Sequence, residues 1–268
     1  MIQPQHLILF DVDGTLTEAR KPIQKAMLKA LRELSRYAEI GFLTGSGLEY
    51  IKEQLWPALA DPIIRKNCHL LPCNGTEYVI PYGEEEIIFN HITKEYMADS
   101  IGKEEFQKLM NILCMLQAKI VDENGDLPLT GNFIQNRGSM INWCPIGRNA
   151  LQEDRDIFKA LDSLYGIREK YLKMLTEYIL AAKMDITVKL GGNTSFDIFP
   201  KGWDKTFALK HFEGQNWNFW FVGDRCGPTG NDYEIFSTLK SSGRSFEVGS
   251  PQETVEIIDF HILREVKR

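Results

Sequence analysis

A short apolar run, Leu7-Ile8-Leu9-Phe10, leads straight into Asp11-Val12-Asp13-Gly14-Thr15-Leu16-Thr17, and no other stretch limits the fold as tightly. The run reads as a buried strand. Side chains alternate along an extended backbone, so Asp11 and Asp13 point the same way and Val12 points into the core. Gly14 lets the chain turn sharply after the second acid. Two carboxylates therefore stand side by side at the carboxyl end of a strand, the place where open α/β sheets carry their sites.

The segments that follow repeat a βα rhythm. Pro22 suits a first helical turn. Ile23, Met27, Ala30, Leu31 and Leu34 recur at helical spacing, which predicts a helix over 22–36. Ile40–Leu43 reads as a second strand running into Thr44-Gly45-Ser46-Gly47, then a helix to about Trp56, ended by Pro57 and Pro62. Cys68–Leu71 is a third strand, closed by Pro72-Cys73-Asn74-Gly75. Such alternation predicts a parallel sheet with crossover helices.

Between about 84 and 192 the pattern changes to hairpins and helices, an α+β module inserted into the α/β one. Helices are expected over 103–117, 151–164 and 168–182, with short strands near 132–135, 139–143, 185–190 and 194–199. After Pro200 the βα rhythm returns: Trp203–His211 reads as helical, Asn218–Val222 as a strand entering Gly223-Asp224, and Pro251–Leu263 as a closing helix. The expected division is a split core at 1–83 and 193–268 around a cap at 84–192.

Composition adds exclusions. The 268 residues carry a formal charge of −6, which argues against a nucleic-acid backbone as partner. Cys68, Cys73, Cys114, Cys144 and Cys226 are odd in number and contain no C-x-x-C pair, so reduced thiols in a cytoplasmic protein are expected, and zinc is not. No run approaches the ~20 apolar residues that span a bilayer.

Moving a phosphoryl group onto a carboxylate brings two anions together, and a hard divalent cation such as Mg²⁺, held by oxygens, screens that approach. Asp11 offers one ligand and Asp224 a second; Asp232, in Gly230-Asn231-Asp232, is placed to bind through water or to orient the site. Ser46 can donate its hydroxyl to a phosphate oxygen beside a helix N-terminus, or act simply as an N-cap. Lys205 can neutralise the reacting centre. If the chain carries out this chemistry, as the resemblance below implies, Asp11 would be the nucleophile and Asp13 the general acid and base.

D-x-D-G-T after an apolar strand, with a later G-D…N-D, resembles the motifs of the haloacid dehalogenase (HAD) superfamily of phosphoryl-transfer enzymes. A narrower resemblance joins Asp11–Thr17, Arg20, Asn142–Arg148, Gly191–Lys205 and Gly223–Phe236 to the eukaryotic-type phosphomannomutases over nearly the full chain. The resemblance implies a HAD-type Rossmann-like core with an α+β cap. It also implies interconversion of mannose 6-phosphate and mannose 1-phosphate, Mg²⁺ held by Asp11, Asp13, Asp224 and Asp232, and a hexose 1,6-bisphosphate activator. Supply of GDP-mannose synthesis and a homodimer joined through the caps are implied as well. Arg20, Arg137, Arg148, Ser195 and Asp197 match substrate-binding positions, and the cap arginines would help close the cap and exclude water.

The chain departs from the family at Thr130, where many members carry an arginine, at Asn136-Arg137-Gly138-Ser139, at Thr44-Gly45-Ser46-Gly47, and in a longer stretch between Arg148 and Ser195. These departures keep a sugar-phosphate phosphatase on the same scaffold as an alternative. A silent phosphosugar-binding protein is the alternative from another class; the intact acid pair opposes it.

Overall fold

The structure is a computed structural model and describes residues 5–267; residues 1–4 and 268, assigned to the core from the sequence, lie outside it. The chain divides into two units. The first ends at Lys94 and resumes at Trp203; the second, Glu95–Gly202, interrupts it.

The first unit is a seven-stranded sheet. Strand β1 (Gln5–Phe10) lies in the middle of its five parallel strands, parallel to both neighbours, β2 (Glu39–Leu43) and β10 (Trp217–Gly223). β3 (Cys68–Leu71) and β11 (Ser245–Glu247) extend the parallel part, and β4 (Glu77–Tyr82) and β5 (Ile88–Lys94) add an antiparallel hairpin. The order is β11-β10-β1-β2-β3-β4-β5. A strand buried on both faces reads as a continuous apolar run, and β1 shows why. Ile8 and Phe10 pack with helix α1 (Lys25–Leu34), helix α2 (Leu48–Ala60) and the C-terminal helical segment, while Leu7 and Leu9 pack on the other face with Ala208, Phe212 and Ile235. Val12 continues the first set.

Pro57 does not end α2: the helix runs through it to Ala60, and Pro62 opens a separate short helix, α3 (Pro62–Lys66). Proline removes the hydrogen bond to residue i−4. Here that residue is Glu53, which is exposed, so water can serve its carbonyl, while buried Ala58 and Leu59 hold the last turn on the core. The boundaries of the two units also differ from those expected. β5 belongs to the main sheet through its pairing with β4, and the strand beginning at Ser195 belongs to the second unit's sheet. The break therefore falls at 94/95 and 202/203 instead of 83/84 and 192/193.

The second unit starts with α4 (Met97–Ile101) and α5 (Lys103–Glu123), longer than the expected 103–117. Strands β6 (Ile134–Asn136), β7 (Ile141–Trp143), β8 (Ile186–Gly191) and β9 (Ser195–Pro200) form an antiparallel sheet of order β6-β7-β9-β8, with α6 (Gln152–Tyr165) and α7 (Ile167–Ala181) between β7 and β8. Ile134, Ile141, Trp143, Phe196, Ile198, Val188 and Leu190 face one way, into a core with Leu113, Leu116, Tyr171 and Leu175. The other face carries the polar residues between them.

No helix among the described residues is long and apolar enough to cross a membrane.

Candidate active site

Parallel register builds the site. Phe10 pairs with Val222, the Asp11 amide donates to the Val222 carbonyl at 2.9 Å, and β1 and β10 end within one residue of each other. Asp11, Asp224 and Asp232 thereby place carboxylate oxygens within 4.8 Å of one another. Gly14 takes φ +85° and closes the turn, its amide donating to the Thr17 carbonyl at 2.7 Å.

Lys205 opens a 3₁₀ segment, Lys205–Phe212, where the sequence predicted an ordinary helix. Asp204 caps it, accepting from the Thr206 amide at 2.9 Å. The Asn74 side-chain amide donates to the Trp203 carbonyl at 3.3 Å, so the turn after β3 steadies the segment that carries the lysine. The Lys205 ammonium is fully buried and donates to both Asp11 Oδ1 and Asp232 Oδ1, the latter at 2.5 Å. The second oxygen of Asp232 accepts from the Arg225 amide at 3.0 Å.

The charges do not balance. Three carboxylates face one buried ammonium, with the exposed Arg225 guanidinium 4.0 Å from Asp224 as the second cation. Burial pushes the Asp11 carboxyl up, against the pull of Lys205, and Asp232 and Asp224 push it further. Burial, followed by Asp232, pushes Asp224 up to about 6. Burial alone would lower the Lys205 ammonium, but Asp11 and Asp232 more than offset it and hold it charged. A divalent cation could supply the missing charge, and an all-oxygen set suits a hard ion. Asn231 Oδ1, next in chain to Asp232, is buried without a hydrogen-bond partner.

Asp13 was counted above among the metal-binding acids, yet its carboxylate is not part of that cluster. Its Oδ1 accepts instead from the Arg20 amide at 3.0 Å, the Tyr50 hydroxyl at 3.2 Å and the Gln54 side-chain amide at 3.3 Å. Arg20 holds φ +63°, which turns its amide toward Asp13. Tyr50 and Gln54 escaped the sequence reading; both lie on α2, where helical spacing alone marks them as one face of an ordinary amphipathic helix. Ser46 lies one residue before the N-cap of α2, which is Gly47, and its amide bonds to Thr44 Oγ1 at 3.1 Å. Ser46 is therefore not the N-cap.

In the second unit, Asn142 draws the polar residues together. Its side-chain amide donates to Ser195 Oγ at 3.0 Å and to Asp197 Oδ1 at 2.7 Å. Ser195 in turn donates to the Gly191 carbonyl at 2.7 Å. The Asp197 carboxylate lies so close over Gly191 that a Cβ there would sit 2.7 Å from it. The Arg148 amide donates to the Asn132 carbonyl at 3.1 Å and the Arg137 amide to the Met140 carbonyl at 2.8 Å, which fixes the backbone at both arginines. Arg155, not singled out from the sequence, braces the same region by donating to the Ala150 and Arg148 carbonyls and to Thr194 Oγ1, at 3.0, 3.3 and 3.1 Å. Thr130 spends its hydroxyl on the Ile146 carbonyl at 2.8 Å.

The chain is similar to known proteins over most of its length. The sequence model of the eukaryotic phosphomannomutases matches residues 27–264. The phosphomannomutase of Saccharomyces cerevisiae is 36% identical over 262 residues, 96% of this chain and 94% of that protein. That of Dendrobium officinale is 35% identical over 261 residues, 97% of this chain and 95% of that one. Among solved structures, the N-terminally truncated Plasmodium falciparum IMP-nucleotidase matches with a TM-score of 0.69 at 16% identity, over 97% of this chain and 71% of that one. The C-terminal domain of the C. albicans trehalose-6-phosphate phosphatase matches with a TM-score of 0.55, also at 16% identity, over 95% and 91%. Likeness at that identity speaks for the fold, which is the HAD type. The sequence matches go further: this chain belongs to the eukaryotic phosphomannomutase family.

Proposed function

We propose that the chain interconverts mannose 6-phosphate and mannose 1-phosphate through a phosphoryl group carried on Asp11. One observation carries the reading: two acids two residues apart sit in different surroundings. Asp11 is buried against Lys205, beside Asp224 and Asp232, whereas Asp13 hangs on Arg20, Tyr50 and Gln54. Paired carboxylates with divergent environments divide into nucleophile and proton carrier.

An Asp11 oxygen attacks phosphorus, the bond from phosphorus to the sugar oxygen breaks, and Asp13 gives its proton to that leaving oxygen. In the reverse direction Asp13 takes the proton from a sugar hydroxyl as that oxygen attacks the phosphoryl group on Asp11. Lys205 holds Asp11 in place and offsets charge. Asp11, Asp224 and Asp232 would hold Mg²⁺, which would supply charge neutralisation to phosphoryl transfer. Ser46 donates to one of those oxygens. Arg20, Arg137 and Arg148 grip the phosphate that is not reacting, as planar guanidinium groups do bidentately, and Ser195 and Asp197 contact the sugar. A hexose 1,6-bisphosphate primes Asp11, and the product serves GDP-mannose synthesis. We further propose a homodimer joined through the second unit, and a cytoplasmic setting in keeping with five cysteines that form no disulfide.

A phosphatase is the second reading, and Thr130 favours it, since its side chain is tied to a backbone carbonyl and offers a phosphate no cation. The test is incubation with Mg²⁺ and mannose 1-phosphate, with and without a hexose 1,6-bisphosphate, following mannose 6-phosphate and free phosphate. Bisphosphate-stimulated isomerisation with little free phosphate supports the mutase. Free phosphate as main product supports the phosphatase.

A further inference from the structure

The polar face of the second unit's sheet carries a lysine that none of the roles above uses. Residues directly opposed on antiparallel strands share a face. The register sets Gln135 opposite Asn142, Asn142 opposite Asp197, and Asp197 opposite Lys189, one row across all four strands. Their neighbours Trp143, Phe196 and Leu190 point into the core on the far side. Lys189 is the one cation, and Asp197 the one anion, that the four strands bring to this face.

A second observation marks the same row as polar and incompletely satisfied. Asn142 is 2% exposed, and its Oδ1 is buried without a hydrogen-bond partner while its amide nitrogen is fully engaged. An orphan acceptor of that kind is costly unless something donates to it. The Ser195 hydroxyl hydrogen is directed at Gly191, so toward a ligand this cluster offers mainly acceptors. Lys189 supplies the donor. A row with one carboxylate, one ammonium and a buried, unpartnered amide oxygen is formally neutral. Such a row matches uncharged groups that both donate and accept, whereas a phosphate calls for a surplus of cations.

We infer that Lys189 is a substrate-binding residue that, with Asn142 and Asp197, reads the ring hydroxyls of the hexose phosphate. This rests on the proposed function.

The experiment compares Lys189→Met and Lys189→Arg with the unaltered protein on two substrates, mannose 1-phosphate and p-nitrophenyl phosphate, which has no ring hydroxyls. For Lys189→Met, kcat/KM on the sugar phosphate should fall about tenfold or more, chiefly through KM, as for loss of a hydrogen bond to a charged group. Turnover of the aryl phosphate should stay unchanged, and Lys189→Arg should recover part of the loss. Equal loss on both substrates, or loss on neither, overturns the inference and leaves the proposed function standing. If the unaltered protein hydrolyses the aryl ester but neither isomerises nor hydrolyses hexose phosphate, both fall.

Discussion

Gly14→Ala isolates the geometry of the acidic cluster. A Cβ at residue 14 would lie 2.3 Å from Asp224 Oδ2 and 2.7 Å from its Cγ. Ordinary contact begins near 3.4 Å, so the Asp224 oxygen must retreat by about 1.1 Å. The left-handed backbone at φ +85° adds a cost of about 1–2 kcal/mol for a residue with a side chain. Misplacing a catalytic group by about 1 Å lowers rates on the order of 100-fold. The assay is turnover of mannose 1-phosphate against Mg²⁺ concentration, with Tm measured beside it in metal-free buffer. We expect kcat/KM to fall on the order of 100-fold and the half-saturating Mg²⁺ concentration to rise. Gly243→Ala is the control: Gly243 has φ +70° with nothing within 4 Å, so it carries the strain without the clash. If both variants show the same Mg²⁺ dependence, the cluster does not work as described.

Asp11→Asn should abolish turnover while the protein stays folded; retained activity refutes the assignment of the nucleophile. Lys205→Met leaves buried Asp11 and Asp232 without a counter-charge, so urea unfolding should show a loss of about 3–5 kcal/mol, and an unchanged midpoint would contradict the pairing. Mg²⁺ at about 100 times its Kd should stabilise the protein by about 2.7 kcal/mol. Asp224→Asn should shrink that gain, and a Tm indifferent to both Mg²⁺ and chelator would rule the site out. Glu123 is pulled down to about 2 by hydrogen bonds from Lys170, Tyr171 and Lys119. A depressed folded pKa gives stability that is present above about 4.5 and lost as pH falls toward 2, so the stability gap between Glu123→Gln and the unaltered protein should narrow as pH is lowered from 7; a pH-independent gap refutes it.

Much of the first unit could be read from the chain because a buried parallel strand announces itself. Leu7–Phe10 and Phe219–Val222 are apolar on both faces, and the acids just beyond them need no tertiary information to be placed. Lys205 was legible only through its neighbours Gly202-Trp203-Asp204, since a lone lysine signals nothing about burial. What failed depends on contacts distant in sequence. Asp13 departs from the cluster because Tyr50 and Gln54 draw its carboxylate aside, and a helical residue facing a loop acid has no periodic signature. α2 outruns Pro57 because core packing at Ala58 and Leu59 outweighs one lost hydrogen bond at the surface. The unit boundaries moved because strand pairing, not strand spacing, decides which sheet β5 and β9 join. Asn142 lay within a recognised motif, but its part in aligning Ser195 and Asp197 appears only once β7 is set beside β9.

The central claim is that the phosphoryl group travels on Asp11. The most direct measurement mixes the protein with Mg²⁺ and a hexose 1,6-bisphosphate, quenches in acid, reduces with borohydride and sequences the tryptic peptide spanning residues 1–20 by mass spectrometry. An acyl phosphate at Asp11 is reduced to homoserine, so homoserine at position 11, absent when the bisphosphate is omitted, is the expected result. Turnover without that mark, or with the mark on another residue, contradicts the account.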